Sequence, residues 1–406
     1  MAGVTRPDVL FAGGGSAGLT AALAMKRSAP DLGVEIVDAK KPGGTRDERA
    51  SAIAAAARRM LEQLGVWAAV EAEAEPILSM EITDSRASDV VRPIFLTFDG
   101  HTRDGEPFAH MVPNEPLLAA LRDAAVEAGI VLTAPDSVER FAADGGVEIA
   151  LASGATRQAS LLVAADGVRS RLRALAGIKT VTWRYPQTAL VATVAHERSH
   201  NGVAVEHFLP SGPFAILPLK GNRSSLVWTE RAAEAEKLMK SDDFVFLVEL
   251  ERRFGHRLGE ISLAGPRAAY PLGLTLVRDF VRPRFALLGD AAHGIHPIAG
   301  QGLNMSFRDA AALAETVVDA HRLGLDIGSL EVLRRYETWR RYDTWQMGAM
   351  TDVLNRLFSN DAAPLRALRD FGLGLVDRLP KLKSLFIGEA AGLSGDLPKL
   401  LRGEAL

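Results

Sequence analysis

Residues Gly13-Gly14-Gly15-Ser16-Ala17-Gly18 fit the spacing G-x-G-x-x-G, whose chemistry is the cradling of a pyrophosphate. Gly13 permits a tight turn, Gly15 lets the backbone approach phosphates, and Gly18 lets a following helix pack close to a sheet. The N–H groups at the start of that helix, from Ser16 and Ala17 onward, then face negative charge. Asp38, twenty residues beyond Gly18, is placed to accept hydrogen bonds from an adenosine ribose. An acid there disfavours a 2′-phosphate, which leaves NAD or FAD rather than NADP. The rival reading is a glycine turn without a ligand, with Asp38 solvated at a strand end.

Two later segments carry further polar groups. Asp166-Gly167-Val168-Arg169-Ser170-Arg171-Leu172-Arg173 follows a strand-like run, and so does Gly289-Asp290-Ala291-Ala292-His293, which continues through His296-Pro297 to Gly300-Gln301-Gly302-Leu303-Asn304 and Asp309. After a strand, Asp290 falls at the C-terminal edge of a sheet, where open α/β folds hold ligands. Gly300 to Leu303 would open a long helix, whose free N–H groups favour negative charge. Without a ligand, Asp290 and Asp166 are helix or turn caps, and Arg169 and Arg171 are solvated. His293 and His296 suggest acid–base chemistry, but a structural role suits them better. The nine histidines show no H-E-x-x-H spacing, so metal catalysis is disfavoured.

The elements that must position these groups are legible. Residues 8–14 and 33–38 read as buried strands flanking a helix over 16–28, the start of a parallel sheet. Helices are expected over about 48–65, ending at Gly65, and over 114–128, ending at Gly129. Residues 89–112 read as paired strands around Asp99-Gly100. Runs 160–166 and 284–290 have the composition of central parallel strands. Between them, from about 178 to 272, lies an antiparallel sheet interrupted by one helix at 241–256. A long helix spans 302–320, and the rest is helical with breaks at Pro364, Pro380 and Pro398.

Composition narrows the classes. The 406 residues are 48% hydrophobic and 24% charged with a net charge of -3, ordinary for a globular chain and without the basic excess of a nucleic-acid binder. No cysteine is present, which removes disulfides, thiolate metal sites, iron–sulfur clusters and thiol nucleophiles, and suits the cytosol. No stretch approaches the ~20 apolar residues of a spanning helix. Arg6 precedes an apolar run, but Asp8 and four glycines interrupt it, so it is not read as a signal peptide. A second dinucleotide fingerprint is missing, which disfavours a separate pyridine-nucleotide domain.

Taken together, the glycine loop, the Asp166-Gly167 segment and the Gly289-Asp290 segment resemble the three signatures of the single-component flavoprotein aromatic hydroxylases, typified by para-hydroxybenzoate hydroxylase. The resemblance covers nearly the whole chain and decides for FAD. It implies an α/β fold: a glutathione-reductase-type, Rossmann-like FAD domain with an inserted antiparallel substrate sheet and a helical C-terminus. The expected division is 1–75, 113–177 and 276–340 for FAD binding, 76–112 and 178–275 for substrate, and 341–406 as a helical region. The resemblance assigns Asp290 to the ribityl hydroxyls and the 300–304 segment to the flavin N1/C2 carbonyl edge. Arg49 resembles an arginine facing the FAD phosphates, and Asn114 a polar position touching FAD. Asp166, Gly167 and Arg173 match a motif linked to FAD and NAD(P)H handling, and Pro297, with His296 beside it, lines the site next to the flavin. No catalytic base is named. The implied chemistry uses NAD(P)H and O2, with oxidising power in a flavin C4a-hydroperoxide.

Within that group the chain looks most similar to the ubiquinone-biosynthesis hydroxylases. The similarity rests on Asp290 through Asn304, on Phe208-Leu209-Pro210 with Gly212-Pro213 and Leu217-Pro218-Leu219, on Leu61 through Trp67, and on Ala391-Gly392-Leu393-Ser394-Gly395. Asp38 stands where glutamate is frequent, and ribose binding remains compatible with it. A polyprenylated phenol is the implied substrate. Leu365, Leu368, Leu375, Leu379, Leu382 and Phe386 recur near helical spacing, with Arg366, Arg369, Arg378, Lys381 and Lys383 among them. That segment could lie on an anionic membrane or dock a partner, or pack as a C-terminal helix pair. The expected location is cytoplasmic, peripheral at the inner membrane, with a homodimer common in the group. The rivals are a hydroxylase of small soluble phenols, a halogenase or prenyl-lipid reductase on a related scaffold, and a non-catalytic flavoprotein subunit. No clear W-x-W-x-I motif favours the halogenase.

Overall fold

A computed structural model describes residues 6–41, 43, 47–84, 94–295, 301–358 and 387–406. Continuous apolar runs leave no face for water, and Val9–Ala12, Leu161–Ala164 and Phe285–Leu287 accordingly form buried parallel strands, joined by Val34–Val37, whose buried Glu35 accepts from Arg157 at 3.0 Å. Across this six-stranded sheet the order is Val281–Arg282, Phe285–Leu287, Leu161–Ala164, Val9–Ala12, Val34–Val37, Val131–Thr133, and only the first pair is antiparallel. The chain leaves Val9–Ala12 towards one side and reaches the other side only later. The crevice at that strand's C-terminal end is therefore a topological switch point.

Helices Ser16–Ser28 and Gly302–Arg322 pack together on the sheet through alanines such as Ala21, Ala24, Ala310 and Ala314, all 0% exposed. Small side chains allow that close approach. A three-stranded meander, Val138–Asp144, Gly146–Leu151 and Thr156–Ala159, stacks Phe141 on Phe285 at 5.0 Å between ring centroids.

The second large sheet is mainly antiparallel and includes Thr180–His196, Val203–Leu209, Gly212–Leu219, Arg223–Arg231 and Ala268–Val277. One face carries Leu190, Val205, Phe214 and Trp228 against Phe246 and Leu250. The helix expected over 241–256 is present as Asp243–Phe254, and a further helix, Ala232–Lys240, precedes it. The Asp242 carboxylate accepts the Val245 N–H at 2.8 Å and starts a new helix there.

Two further expectations are corrected. The helix placed at 48–65 begins only at Ala55, and Ala50–Ala54 is a strand paired with Ala109–Pro113. Alanine favours helix locally, but the Asn304 side chain takes both Ala54 N–H and Ala52 C=O at 2.9 Å and holds the segment extended. The strands on either side of Asp99-Gly100 do not pair with each other. Ile94–Asp99 joins Ser79–Asp84 in the large sheet, and Ala109–Pro113 joins the small one. Gly100 lets the chain cross the Leu78 backbone, which a Cβ would approach to 2.3 Å. Residues 89–93 of that expected pair lie outside the described residues, as does the amphipathic stretch 365–386.

At the C-terminus, helix Leu330–Phe358 is followed by the described stretch 387–406, tied back by Ala56 N–H to Ala391 C=O and by Arg308 to Ser394 C=O. Among the described residues no helix is long and apolar enough to cross a membrane.

The glycine loop offers a paired test. A Cβ on Gly18 would stand 2.1 Å from Gly13 C=O, whereas one on Gly15 meets nothing within 4 Å. Urea unfolding should show Gly18→Ala losing about 2–4 kcal/mol despite alanine's helix propensity, and Gly15→Ala changing stability by less than about 0.5 kcal/mol.

Candidate active site

Three segments distant in sequence meet at the switch point. Gly13 adopts φ +124° with its Cα against Ala165 C=O, where an added Cβ would lie at 2.2 Å, so the glycine loop abuts the Asp166-Gly167 turn. Gly289, at φ +60°, faces Ala17 and Ser306 at 3.1 and 3.0 Å from an added Cβ, which brings the Gly289-Asp290 turn onto both helices. Arg173 donates to Ala291 C=O at 2.7 Å and to Val168 C=O at 3.0 Å, joining the second segment to the third. Asp166 accepts Leu172 N–H at 3.2 Å.

The loop's donors point outward. Neither helix Ser16–Ser28 nor helix Gly302–Arg322 has a side-chain cap or an acid in its first turn, so both N-termini present unsatisfied N–H groups. Asp38 accepts Gly14 N–H at 2.7 Å and Lys40 N–H at 2.8 Å, locking the acid to the loop. Asp290 is reached by solvent yet ringed by protein. Burial raises its carboxyl's pKa, and the neighbouring His293 and Arg49 oppose that only in part.

Arg49 opens a strand rather than a helix. Its guanidinium makes two 2.7 Å bonds to Asp47 and sits 5.1 Å from the Tyr270 ring centroid. Asn114 donates to Asp47 at 3.0 Å and accepts from Ser51 at 2.7 Å. Burial alone would raise the Asp47 carboxyl, but the bonds from Arg49 and Asn114 outweigh it and hold it low. Gln301 donates to Ala390 C=O at 3.4 Å, and Leu303 packs on the main core. Gly302 opens the long helix, and the Asn304 amide is spent on the Ala50–Ala54 strand. Gly300, His296 and Pro297 lie outside the described residues.

Behind the site is a buried ionic network. The Asp309 carboxylate, 0% exposed, accepts from His293 Nε2 at 2.6 Å, from Gly289 N–H at 3.0 Å and from Arg340 Nε at 2.7 Å. Desolvation pushes Asp309 towards the neutral acid, yet His293 and Arg340 outweigh it and keep its pKa low. Arg340 also bonds Asp343 at 2.7 Å. With the proton on Nε2, His293 Nδ1 is a buried acceptor without a partner among the described residues. His293 is thus held within the buried network through Nε2.

Comparison with known proteins bears on what the crevice holds. The family described as FAD binding domain matches residues 6–350. Ubiquinone hydroxylase UbiL of Rhodospirillum rubrum is 45% identical, over 98% of this chain and 93% of its own length. The 3-demethoxyubiquinol 3-hydroxylase of Escherichia coli is 33% identical, over 95% of this chain and 98% of its own. The chain belongs to the FAD-dependent aromatic hydroxylases. A p-nitrophenol 4-monooxygenase from Pseudomonas putida superposes with a TM-score of 0.81 at 18% identity, over 97% of this chain and 99% of that one, a likeness of fold.

The residues of this flavoprotein suit FAD. Space stands open before Gly15, two uncapped helix N-termini converge there, and Asp290 and Asp38 offer acceptors. A separate cavity of about 900 Å³ involves a different face of the long helix, at Met305 and Arg308. Its walls mix Arg334, Arg335, Glu331 and Asp343 with Trp339, Met347 and Met350.

Sequence reading missed Arg340 and Glu206. Arg340 sits on a helix that reads as surface-like, and only the fold turns it onto Asp309. Glu206 had a visible signal: in the strand Val203–Leu209 it alternates with Ala204 and Phe208, an acid on an apolar face.

Removing the Asp309 charge tests the network. Asp309→Asn leaves the buried Arg340 with Asp343 as its remaining ion-pair partner among the described residues, and should cost about 3 kcal/mol in urea unfolding. A carboxylate held low contributes stability above its unfolded pKa and loses it as pH falls through the folded one. The acid limb of the wild-type stability profile should therefore flatten in Asp309→Asn.

Proposed function

We propose that this FAD-dependent monooxygenase hydroxylates the ring of a polyprenylated phenol in ubiquinone biosynthesis, with NAD(P)H as electron donor. The observation that carries the chemistry is the meeting of glycine loop, Asp290 turn and long-helix N-terminus beneath a sheet face of small apolar residues. The substrate class is supported by the names of the relatives, which act in ubiquinone synthesis or on demethoxyubiquinol. We read residues 1–75, 113–177 and 276–340 as cofactor-holding, 76–112 and 178–275 as substrate-holding, and 341–406 as a helical C-terminal region. The enzyme would work in the cytoplasm, at the inner membrane surface or in a biosynthetic complex, as a homodimer.

When bound, FAD supplies the activation of O2 and the transfer of one oxygen atom to the ring. Gly13, Gly15, Ser16, Ala17 and Gly18 would hold the pyrophosphate through backbone N–H groups, and Asp38 the adenosine ribose. Asp290 would accept from the ribityl hydroxyls. Arg49, steadied by Asp47 and Asn114, would bring positive charge to the phosphates, and Asp166 would fix the turn beside them. Gly300, Gln301, Gly302 and Leu303 would direct the helix N-terminus at the isoalloxazine edge, with Asn304 anchoring that turn to Ala52 and Ala54. Pro297 and His296 would line the substrate side. With a ring seated against Ala215, Val227 and Val191, the sheet face would exclude water and limit loss of the activated oxygen to solvent.

Supplying the purified holoenzyme with a prenylated phenol, NAD(P)H and O2 should yield a product heavier by one oxygen atom. Turnover confined to unprenylated phenols would favour the soluble-substrate rival, and bound FAD without turnover under any donor the non-catalytic one. Fluorescence titration should show Asp38→Ala weakening FAD about 10–100-fold, since loop and ribose contacts are lost together. Gly15→Ala should also weaken FAD while leaving the apoprotein as stable as before.

A further inference from the structure

Glu206 is 6% exposed, and its carboxyl makes no hydrogen bond to any described residue. Its orientation follows from register, because directly paired residues share a sheet face. Glu206 pairs with Ala215, Ala215 with Val227, Val227 with Val191, and Val191 with Ala268. Tyr270, two residues further along, shares that face and meets Arg49, which in turn attracts Asp290. On the other flank Met80, Ala204 and Leu217 lie on the same face and pack against Ala55, Ala109, Met111 and Ala391. The opposite face is sealed by Phe246 and Leu250. Glu206 therefore looks towards the cofactor side, on a floor of Ala215, Val227 and Val191. The last two stay half-buried, so the floor is not closed over.

We propose that Glu206 meets the ring hydroxyl of the phenolic substrate and takes its proton. The step breaks the phenol O–H bond and forms an O–H bond on a Glu206 carboxylate oxygen. The electron pair stays on the phenol oxygen, which raises electron density at the ortho and para carbons and readies the ring for oxygen transfer. The inference rests on the phenol-hydroxylase reading. Thr193, Ser225 and Thr229, other polar side chains that the register puts on this face, are uncharged, and a buried carboxyl without a protein partner costs stability unless a ligand uses it.

Burial pushes the Glu206 carboxyl up to about 8, with no charged neighbour to offset it. The titratable groups on the elements packed against this face have partners of their own: on helix Leu330–Phe358, Asp352 accepts from Trp183, Tyr185 and Arg356, and Glu75 pairs with Lys220 at 3.7 Å. His110 stands edge-on to Trp67, and Glu389 lines the separate cavity with Arg308. Arg49 and Asp47 pair with each other at the Tyr270 end. The base form of Glu206 therefore grows as pH rises through about 8.

The test uses FAD-loaded wild type and Glu206→Gln, each checked for an unchanged flavin spectrum. With a prenylated phenol, the wild-type kcat should rise about 25-fold from pH 6.5 to 8.5, whereas Glu206→Gln should be pH-flat and ~100-fold slower at the upper end with KM little changed. A second readout needs no turnover: the absorbance of bound 4-nitrophenol reports its ionisation directly. Its apparent acid constant should differ at least threefold between the two proteins. Identical ionisation curves, or no nitrophenol binding to wild type, would overturn the role of Glu206. Altered ionisation alongside a wild type that leaves prenylated phenols untouched would instead retain Glu206 and sink the substrate assignment. Heat denaturation at pH 9 should also show the variant more stable than wild type, because a buried acid with a raised pKa loses stability as pH climbs. A merely structural glutamate would show that last effect alone.

Discussion

A single buried carboxylate, Asp309, organises the cofactor side of the molecule. It receives Gly289 N–H, His293 Nε2 and Arg340 Nε, so one side chain joins the Asp290 turn, the long helix Gly302–Arg322 and the helix Leu330–Phe358. At this buried position, neutralising the charge leaves the arginine with Asp343 alone and releases the turn. The attachment of Gly289 matters most, because the next residue is Asp290. The acid that faces the crevice is held by an acid that never sees it.

Close approach between backbones is the second constraint. Gly13 lies against Ala165, Gly18 against Gly13, and Gly289 against Ala17 and Ser306. Side chains at those points would separate segments whose N–H groups must share one anion. Two helix N-termini left uncapped are individually unfavourable, and together they are a reservoir of donors for phosphate and for an electron-rich ring edge. The protein thus keeps polar groups unsatisfied where a charged ligand completes them.

Opposite this donor-rich wall stands a sheet face with contrary properties. Its floor is alanine and valine, its acid is neutral over much of the physiological range, and its far side is sealed by helices. A ring held between the two walls would have polar groups towards the flavin side and Glu206 towards its own hydroxyl. Tyr270 and Arg49 join the walls at one end, and the Ala50–Ala54 strand joins them at the other.

The glycine loop, Asp38, the Asp290 turn and the long helix were legible because each is local. A glycine at a fixed offset, an acid closing an apolar run and a 3.6-residue periodicity are encoded within a few residues. The buried strands were legible for the same reason, as was the change to an antiparallel sheet near residue 178. Other features depend on partners far away in the chain. Ala50–Ala54 reads as helix until Asn304 and the strand Ala109–Pro113 hold it extended. Asp99-Gly100 reads as a hairpin until Leu78 diverts its two strands into different sheets. Arg340 and Glu206 gain meaning only when a second helix or a neighbouring wall decides what surrounds them, since the state of a charge is set by its burial and its partners. Sequence alone pointed to the cofactor class and located the glycine loop, Asp38 and the Asp290 turn. Tertiary structure decided which charges are buried, which helix ends stay open and which carboxyl faces the ring, because those are properties of space between segments rather than of any segment.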